Sequence, residues 1–177
     1  MQFGFSIYGA WWFSLIYLIF AFGLWFIFPK YVQVRFNKVA NLGIINKLYY
    51  LAYLLLILSS IVVPLSGSIY LISGGIFFVI GLSLFIAAIY QFAITDVLQP
   101  AVAGVYAWCR HPVYLGFAIM WYGVSLATLN IVLFLLISAI SYFSYIIANE
   151  EEKACLNQYG DDYIKYKNRV NFIFGKK

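Results

Sequence analysis

The sequence predicts an all-α, polytopic membrane protein of about five transmembrane helices, with the N-terminus outside and the C-terminus cytoplasmic. Three observations carry that expectation. Of 177 residues, 65% are apolar and only 10% charged, whereas soluble domains are roughly 45–50% apolar and about 25% charged. The apolar residues gather in runs near the length that spans a hydrocarbon core, about 20 residues of helix for about 30 Å. The Lys and Arg residues flank those runs instead of spreading over a surface. Disorder is excluded as well, because a chain with 17 Phe, 16 Tyr and 5 Trp does not stay solvated in water.

The first run, Phe5–Phe28, has no basic segment before it and no small-residue cleavage site, so it is expected to be a retained span and not a removable leader. Pro29–Lys47 follows, alternating Lys30, Arg35, Lys38 and Lys47 with Tyr31, Val32, Val34, Phe36 and Val39. This is either a helix lying at the headgroups or a charged connector. Leu48–Leu65 and Ile69–Ile94 are the second and third spans, and Gly74, Gly75 and Gly81 on the third suit close helix packing. Pro112–Thr128 and Ile131–Ala148 are the fourth and fifth. The break at Leu129-Asn130 leaves them as two spans, one long broken helix, or a tight hairpin that does not fully cross.

Under this division the basic segments Pro29–Lys47 and Lys153–Lys177 fall on one side, and the links near Gly67 and Asn130 carry no charge. Positive residues favour the cytoplasm, and an odd number of spans separates the termini, so the two arguments agree. The net charge of +5 is read as this orientation signal and no nucleic-acid partner is expected. Cys109 and Cys155 are placed where thiols stay reduced. With one His in the chain, a metal site of Cys109, His111 and Cys155 is a ligand short of the usual structural four, so no metal is expected.

Two polar clusters interrupt the apolar background. The first is Gly104-Val-Tyr106-Ala-Trp108-Cys109-Arg110-His111-Pro112-Val-Tyr114-Leu115-Gly116. Pro112 suits the first turn of a helix, which puts Arg110 and His111 just ahead of unpaired backbone N–H groups and the positive end of the dipole. This is a place for a carboxylate or phosphate; the plainer alternative has Arg110 snorkelling to lipid phosphates and His111 capping backbone. The second is Glu150-Glu151-Glu152. Acids at a helix C-terminus oppose the dipole, a penalty that lapses if the helix continues through Leu156 and Tyr159. Residues 151 and 152 point about 100° apart on a helix, so one can face a pocket while the other faces water. Cations, anions and rings at one cytoplasmic mouth suit a ligand with a carboxylate, positive charge and a stackable ring, and S-adenosylmethionine has all of these.

The pattern Gly104-x-Tyr106-x-x-x-Arg110-His111-Pro112-x-Tyr114-Leu115-Gly116, then Glu151-Glu152, Tyr159-Gly160-x-x-Tyr163-x-x-Tyr166 and Val170, resembles the isoprenylcysteine carboxyl methyltransferase and phospholipid methyltransferase superfamily. The resemblance implies a multi-span helical enzyme, without a Rossmann domain, that binds S-adenosylmethionine at its cytoplasmic end. It implies a lipophilic small-molecule or lipidated substrate reaching the site from the membrane lipid, either a prenylcysteine-like carboxylate or a phospholipid amine. It further implies Gly104, Tyr106, Arg110, His111, Tyr114, Leu115, Glu151 and Glu152 as cofactor-binding residues, with Glu152, Arg110 and His111 as the catalytic ones. The chain departs from prenylcysteine methyltransferases where they carry an Arg shortly before the paired acids; here Tyr145-Ile-Ile-Ala-Asn149 stands, leaving Lys153 or Arg169 as substitutes. Two other classes remain open: an NADPH-dependent reductase of the sterol-reductase type, opposed by the repulsion between Glu151-Glu152 and dinucleotide phosphates, and a non-catalytic membrane scaffold subunit.

Overall fold

A computed structural model describes residues 9–28 and 42–175. Every regular element among them is helical: α1 (Trp11–Ile27), α2 (Ile44–Val62), α3 (Ser68–Ile94), a 3-10 turn (Gly104–Ala107), α4 (Pro112–Thr128), α5 (Ile131–Tyr159) and α6 (Asp161–Arg169). Residues 29–41, which hold most of the expected headgroup helix or connector, lie outside the described residues. Three helices are long and apolar enough to cross a membrane: Ile44–Val62, Ile69–Ile94 and Ile131–Tyr159. The shorter apolar stretches Trp11–Leu24 and Pro112–Thr128 complete the set of runs expected from sequence.

The element boundaries follow from local chemistry. α2 starts about a turn earlier than the apolar run suggests, after Gly43 at φ 57°, and ends at Val62 because Pro64 disfavours helical backbone at the residue before it. Pro112 opens α4, where its missing N–H costs nothing. The Leu129-Asn130 break is a tight hairpin: Leu129 takes the left-handed conformation at φ 50°, and the Asn130 side chain accepts from the backbone N–H groups of Val132 and Leu133 at 3.0 and 3.1 Å. α5 runs about three turns past Ala148, so the acids at 150–152 sit inside a helix and not at its C-terminal end. Gly160, at φ 54°, separates α5 from α6, which has Asp161 and Asp162 in its first turn and Lys167 and Arg169 in its last, each favourable to the dipole.

Large apolar side chains such as Phe26, Leu54, Ile72, Val79 and Leu135 point outward, while Leu56, Met120, Trp121, Val124, Leu133, Ile137 and Ile140 form the buried core. Lipid tails are as apolar as these side chains, so close packing, not hydrophobic transfer, holds such helices together. The closest seam is between α3 and α4. A Cβ at Gly74 would stand 2.6 Å from the Ala127 nitrogen, one at Gly81 2.6 Å from the Gly116 oxygen, one at Gly116 2.7 Å from the Phe85 nitrogen, and one at Gly123 2.6 Å from the Gly74 oxygen. Hydroxyl contacts tie the remaining helices: Tyr53 donates to Tyr17 at 2.6 Å, Ser14 meets Ser60, and Ser66 Oγ donates to the Ala127 carbonyl at 2.6 Å.

This seam predicts that Gly81→Leu forces α3 and α4 apart and destabilises the fold by about 1–3 kcal/mol or more. Gly75→Leu is its control, because a Cβ there meets nothing within 4 Å. Thermal unfolding in detergent, followed by intrinsic fluorescence, is expected to show a lower Tm for the first variant and an unchanged one for the second.

Candidate functional site

The start of α4 meets the last turns of α5 and the chain after α6, so segments distant in sequence converge at one end of the bundle. The 3-10 turn before α4 depends on Gly104, whose φ is +59° and where an added Cβ would stand 2.6 Å from Gln91 Oε1. Tyr106 is buried with Ala88, Tyr163, Tyr166 and Val170, and its carbonyl accepts from the Tyr166 hydroxyl at 2.8 Å. Tyr106 therefore braces α6, while Gly104 lies against Gln91 of α3. The brace folds residues 170–175 back over Arg110, where the Arg110 N–H donates to the Asn171 carbonyl at 3.2 Å and the Gly175 N–H donates to that of Trp108 at 2.8 Å.

Glu152, 3% exposed, is the centre of the cluster. Its Oε1 accepts from Arg110 Nε at 2.7 Å and lies 3.1 Å from His111 Nε2; its Oε2 accepts from Lys167 Nζ at 2.7 Å. Arg110 spends Nη1 on the carbonyls of Lys167 and Val170, at 3.1 and 2.8 Å. The apolar stretch of α5 ends at Ala148, which leaves Glu152 a turn beyond it. Burial pushes this carboxyl up, but the His111 and Lys167 hydrogen bonds and the Arg110 charge outweigh burial and bring it down to about 2. Lys167 was not singled out from sequence; the signal for it was the surplus of acids at 150–152 over nearby cations, with Lys167 beside the Tyr163-x-x-Tyr166 motif. Of the expected substitutes for the missing Arg, Lys153 instead pairs with Glu150 at 2.6 Å on the surface.

Glu151, about 100° around the helix from Glu152, takes a different neighbour. Its Oε1 accepts from the Tyr114 hydroxyl at 2.8 Å, and its Oε2 lies 4.0 Å from His111 Nδ1. Burial raises this carboxyl, with the Tyr114 bond and the His111 charge pulling the other way. The two adjacent acids are thus shifted in opposite directions, the arrangement that separates a fixed counter-ion from a proton acceptor. Below them a cavity of about 120 Å³ opens between α4 and α5, lined in part by His111, Tyr114, Leu115, Ser141, Tyr145 and Phe172. Cys109 and Cys155 are separate thiols; burial pushes the Cys109 thiol up to about 11, which makes it a weak nucleophile.

The structure accordingly brings Arg110, His111 and Glu152 into one bonded cluster and sets Tyr114, Leu115 and Glu151 beside it. The sequence profile of the phospholipid methyltransferase family matches residues 48–162, which takes in both clusters. Methanethiol S-methyltransferase 1 of Bradyrhizobium diazoefficiens is 33% identical over 69 residues, 39% of this chain and 24% of that protein. Protein-S-isoprenylcysteine O-methyltransferases of Mus musculus and Rattus norvegicus are each 33% identical over 88 residues, 46% of this chain and 29% of theirs. The matched segments span less than a third of these relatives' lengths. No solved structure matches the chain.

Removing one member of a buried ion pair strands the other, at about 3–5 kcal/mol. Glu152→Gln is expected to lower Tm accordingly, and Lys167→Met to lower it less, because Lys167 is partly solvated. The acid limb follows from the sign of the shift. The folded-state value of about 2 lies below the ordinary 4.5, so this stabilisation is complete above that ordinary value and disappears as pH falls toward the folded one. Hydrogen exchange at 170–175, recorded across that window, is expected to rise in the wild type and to be nearly flat in Glu152→Gln.

Proposed function

Because the chain belongs to the phospholipid methyltransferase family, we propose that it is an integral membrane enzyme that transfers a methyl group from S-adenosylmethionine to a lipophilic acceptor at the cytoplasmic face. The observation that carries this reading is the juxtaposition of the Arg110–His111–Glu152 cluster, the Glu151–Tyr114 pair and the cavity between α4 and α5. Reading the three long and two shorter apolar helices as spans supports a cytoplasmic site, because this end of the bundle then shares a side with the basic residues.

The residues fit the cofactor in kind. Glu151 offers a carboxylate bonded to Tyr114 of the cavity wall, rings line that wall, and Ser141 Oγ is buried beside the cavity without a hydrogen-bond partner. Phe172 and Ile173 close one side. A cavity of about 120 Å³ is smaller than the roughly 300–1,000 Å³ of small-molecule sites, so the space widens when a nucleoside-sized molecule enters. Arg110, His111, Tyr114, Leu115, Glu151 and Glu152 would hold it, with Tyr106 acting through the brace on α6 and Gly104 through the turn ahead of α4. S-Adenosylmethionine, when bound, supplies an electrophilic methyl carbon on a sulfonium.

The work of the protein is positioning and exclusion of water. Glu152 is a fixed counter-ion that locks Arg110, His111 and Lys167 in place. Glu151, with its carboxyl raised by burial, takes the proton when the acceptor is a phospholipid amine; a prenylcysteine-like carboxylate needs no base. Leu115 and Phe172 keep the cavity dry.

Calorimetric titration of detergent-purified protein with S-adenosylhomocysteine tests the reading. Wild type is expected to bind, with Glu151→Gln and His111→Ala each weaker by about tenfold, the scale of a hydrogen bond to a charged group. Absence of binding by wild type that unfolds cooperatively overturns the proposal.

A further inference from the structure

Four aromatic rings border the cavity between α4 and α5 and touch one another in sequence. The Tyr114 and His111 centroids are 6.2 Å apart, His111 and Phe172 4.5 Å, and Phe172 and Tyr145 5.1 Å, and all four residues line the same space. Phe172 already serves one cation, with Arg110 Cζ 5.6 Å from its centroid. The Glu151 carboxylate is bound to the Tyr114 hydroxyl at 2.8 Å and stands 4.0 Å from His111. Ser141 Oγ, buried and without a hydrogen-bond partner, borders the same space from α5.

Ring faces carry the negative part of the aromatic quadrupole and attract cations. Ammonium and guanidinium groups also need hydrogen-bond acceptors when buried, whereas a fully alkylated sulfonium or ammonium has no N–H or O–H to satisfy. Rings on several sides, a carboxylate behind one of them and a spare hydroxyl oxygen match that requirement. About 120 Å³ also suits a compact head and not a whole nucleoside.

We propose that this cavity is a cage for a methylated onium group, formed by Tyr114, Phe172 and Tyr145 with Glu151 as the nearby counter-charge. Two sources carry that chemistry: the sulfonium of the cofactor, an assignment that rests on the methyltransferase reading above, and the methylated ammonium head of a lipid, which does not.

Tetramethylammonium is the probe, titrated by saturation-transfer NMR against the full chain in maltoside micelles, with neopentyl alcohol as the uncharged compound of similar shape. The cation is expected to bind, the alcohol at least about tenfold more weakly, and Tyr145→Leu and Phe172→Leu to lower cation affinity about tenfold, the upper range for a desolvated cation on rings. Tyr145→Phe and Phe172→Tyr keep the rings and are expected to retain binding; Tyr145 is largely exposed, so its variants leave the core intact. Equal binding of alcohol and cation, or Leu variants that bind as wild type, overturns the cage. Displacement of the probe at least about tenfold more effective with S-adenosylmethionine than with S-adenosylhomocysteine, whose thioether carries no positive charge, assigns the cage to the sulfonium; simultaneous binding of probe and either molecule assigns it to the lipid head. Loss of S-adenosylhomocysteine binding with the probe still bound overturns the methyltransferase reading alone. Loss of probe binding with S-adenosylhomocysteine still bound overturns the cage alone.

Discussion

A single buried carboxylate, Glu152, ties the polar end of this bundle together. A charge removed from water is tolerated only when opposite charge and hydrogen bonds replace its hydration. Glu152 obtains them from Arg110 and His111 ahead of α4 and from Lys167 in α6, so one side chain joins the entry to the fourth apolar helix, the end of the fifth and the segment beyond. Arg110 extends the connection by donating to the carbonyls of Lys167 and Val170, which hold the start of the last segment over the cavity. The placement of Phe172 against His111, and hence the size of the cavity, depends on these bonds.

Glu152 reaches its partners because α5 continues past its apolar stretch. Had the helix ended near Ala148, the three acids would have opposed the dipole at its last turn. Continued to Tyr159, it presents adjacent acids in different directions, one to a trio of cationic or hydrogen-bonding groups and one to Tyr114 and the cavity. The opposite shifts of the two carboxyls follow from that difference in neighbours and need no difference in residue type. The seam of Gly74, Gly81, Gly116 and Gly123 meanwhile fixes α4 against α3, and α4 carries Tyr114 and Leu115 to the site. For a family of membrane methyltransferases, such rigid seating is what positioning chemistry requires.

Much of this was legible in the sequence. Composition and run length determined an all-helical chain with apolar helices, because a bilayer selects for apolar length and little else. Pro112 and Asn130 marked helix boundaries through backbone geometry that is local to each residue. The motif around Arg110-His111-Pro112 and the pair Glu151-Glu152 marked the residues of the site, and the phase of a helix said that the two acids would face apart. Tertiary structure alone decided the pairings. Lys167 is one of five Lys and Arg residues from 165 to 177 and is not distinguishable by type from Lys165, yet it bonds Glu152 while Lys165 sits on the surface with Asp162. Gly104 and Tyr106 belong to the motif, but Gly104 makes the turn against Gln91 and Tyr106 serves the brace under α6, and Phe172 and Tyr145, outside any motif, form walls of the cavity. Contacts between residues 40 or more positions apart are set by how helices pack, and no local preference in the chain encodes them.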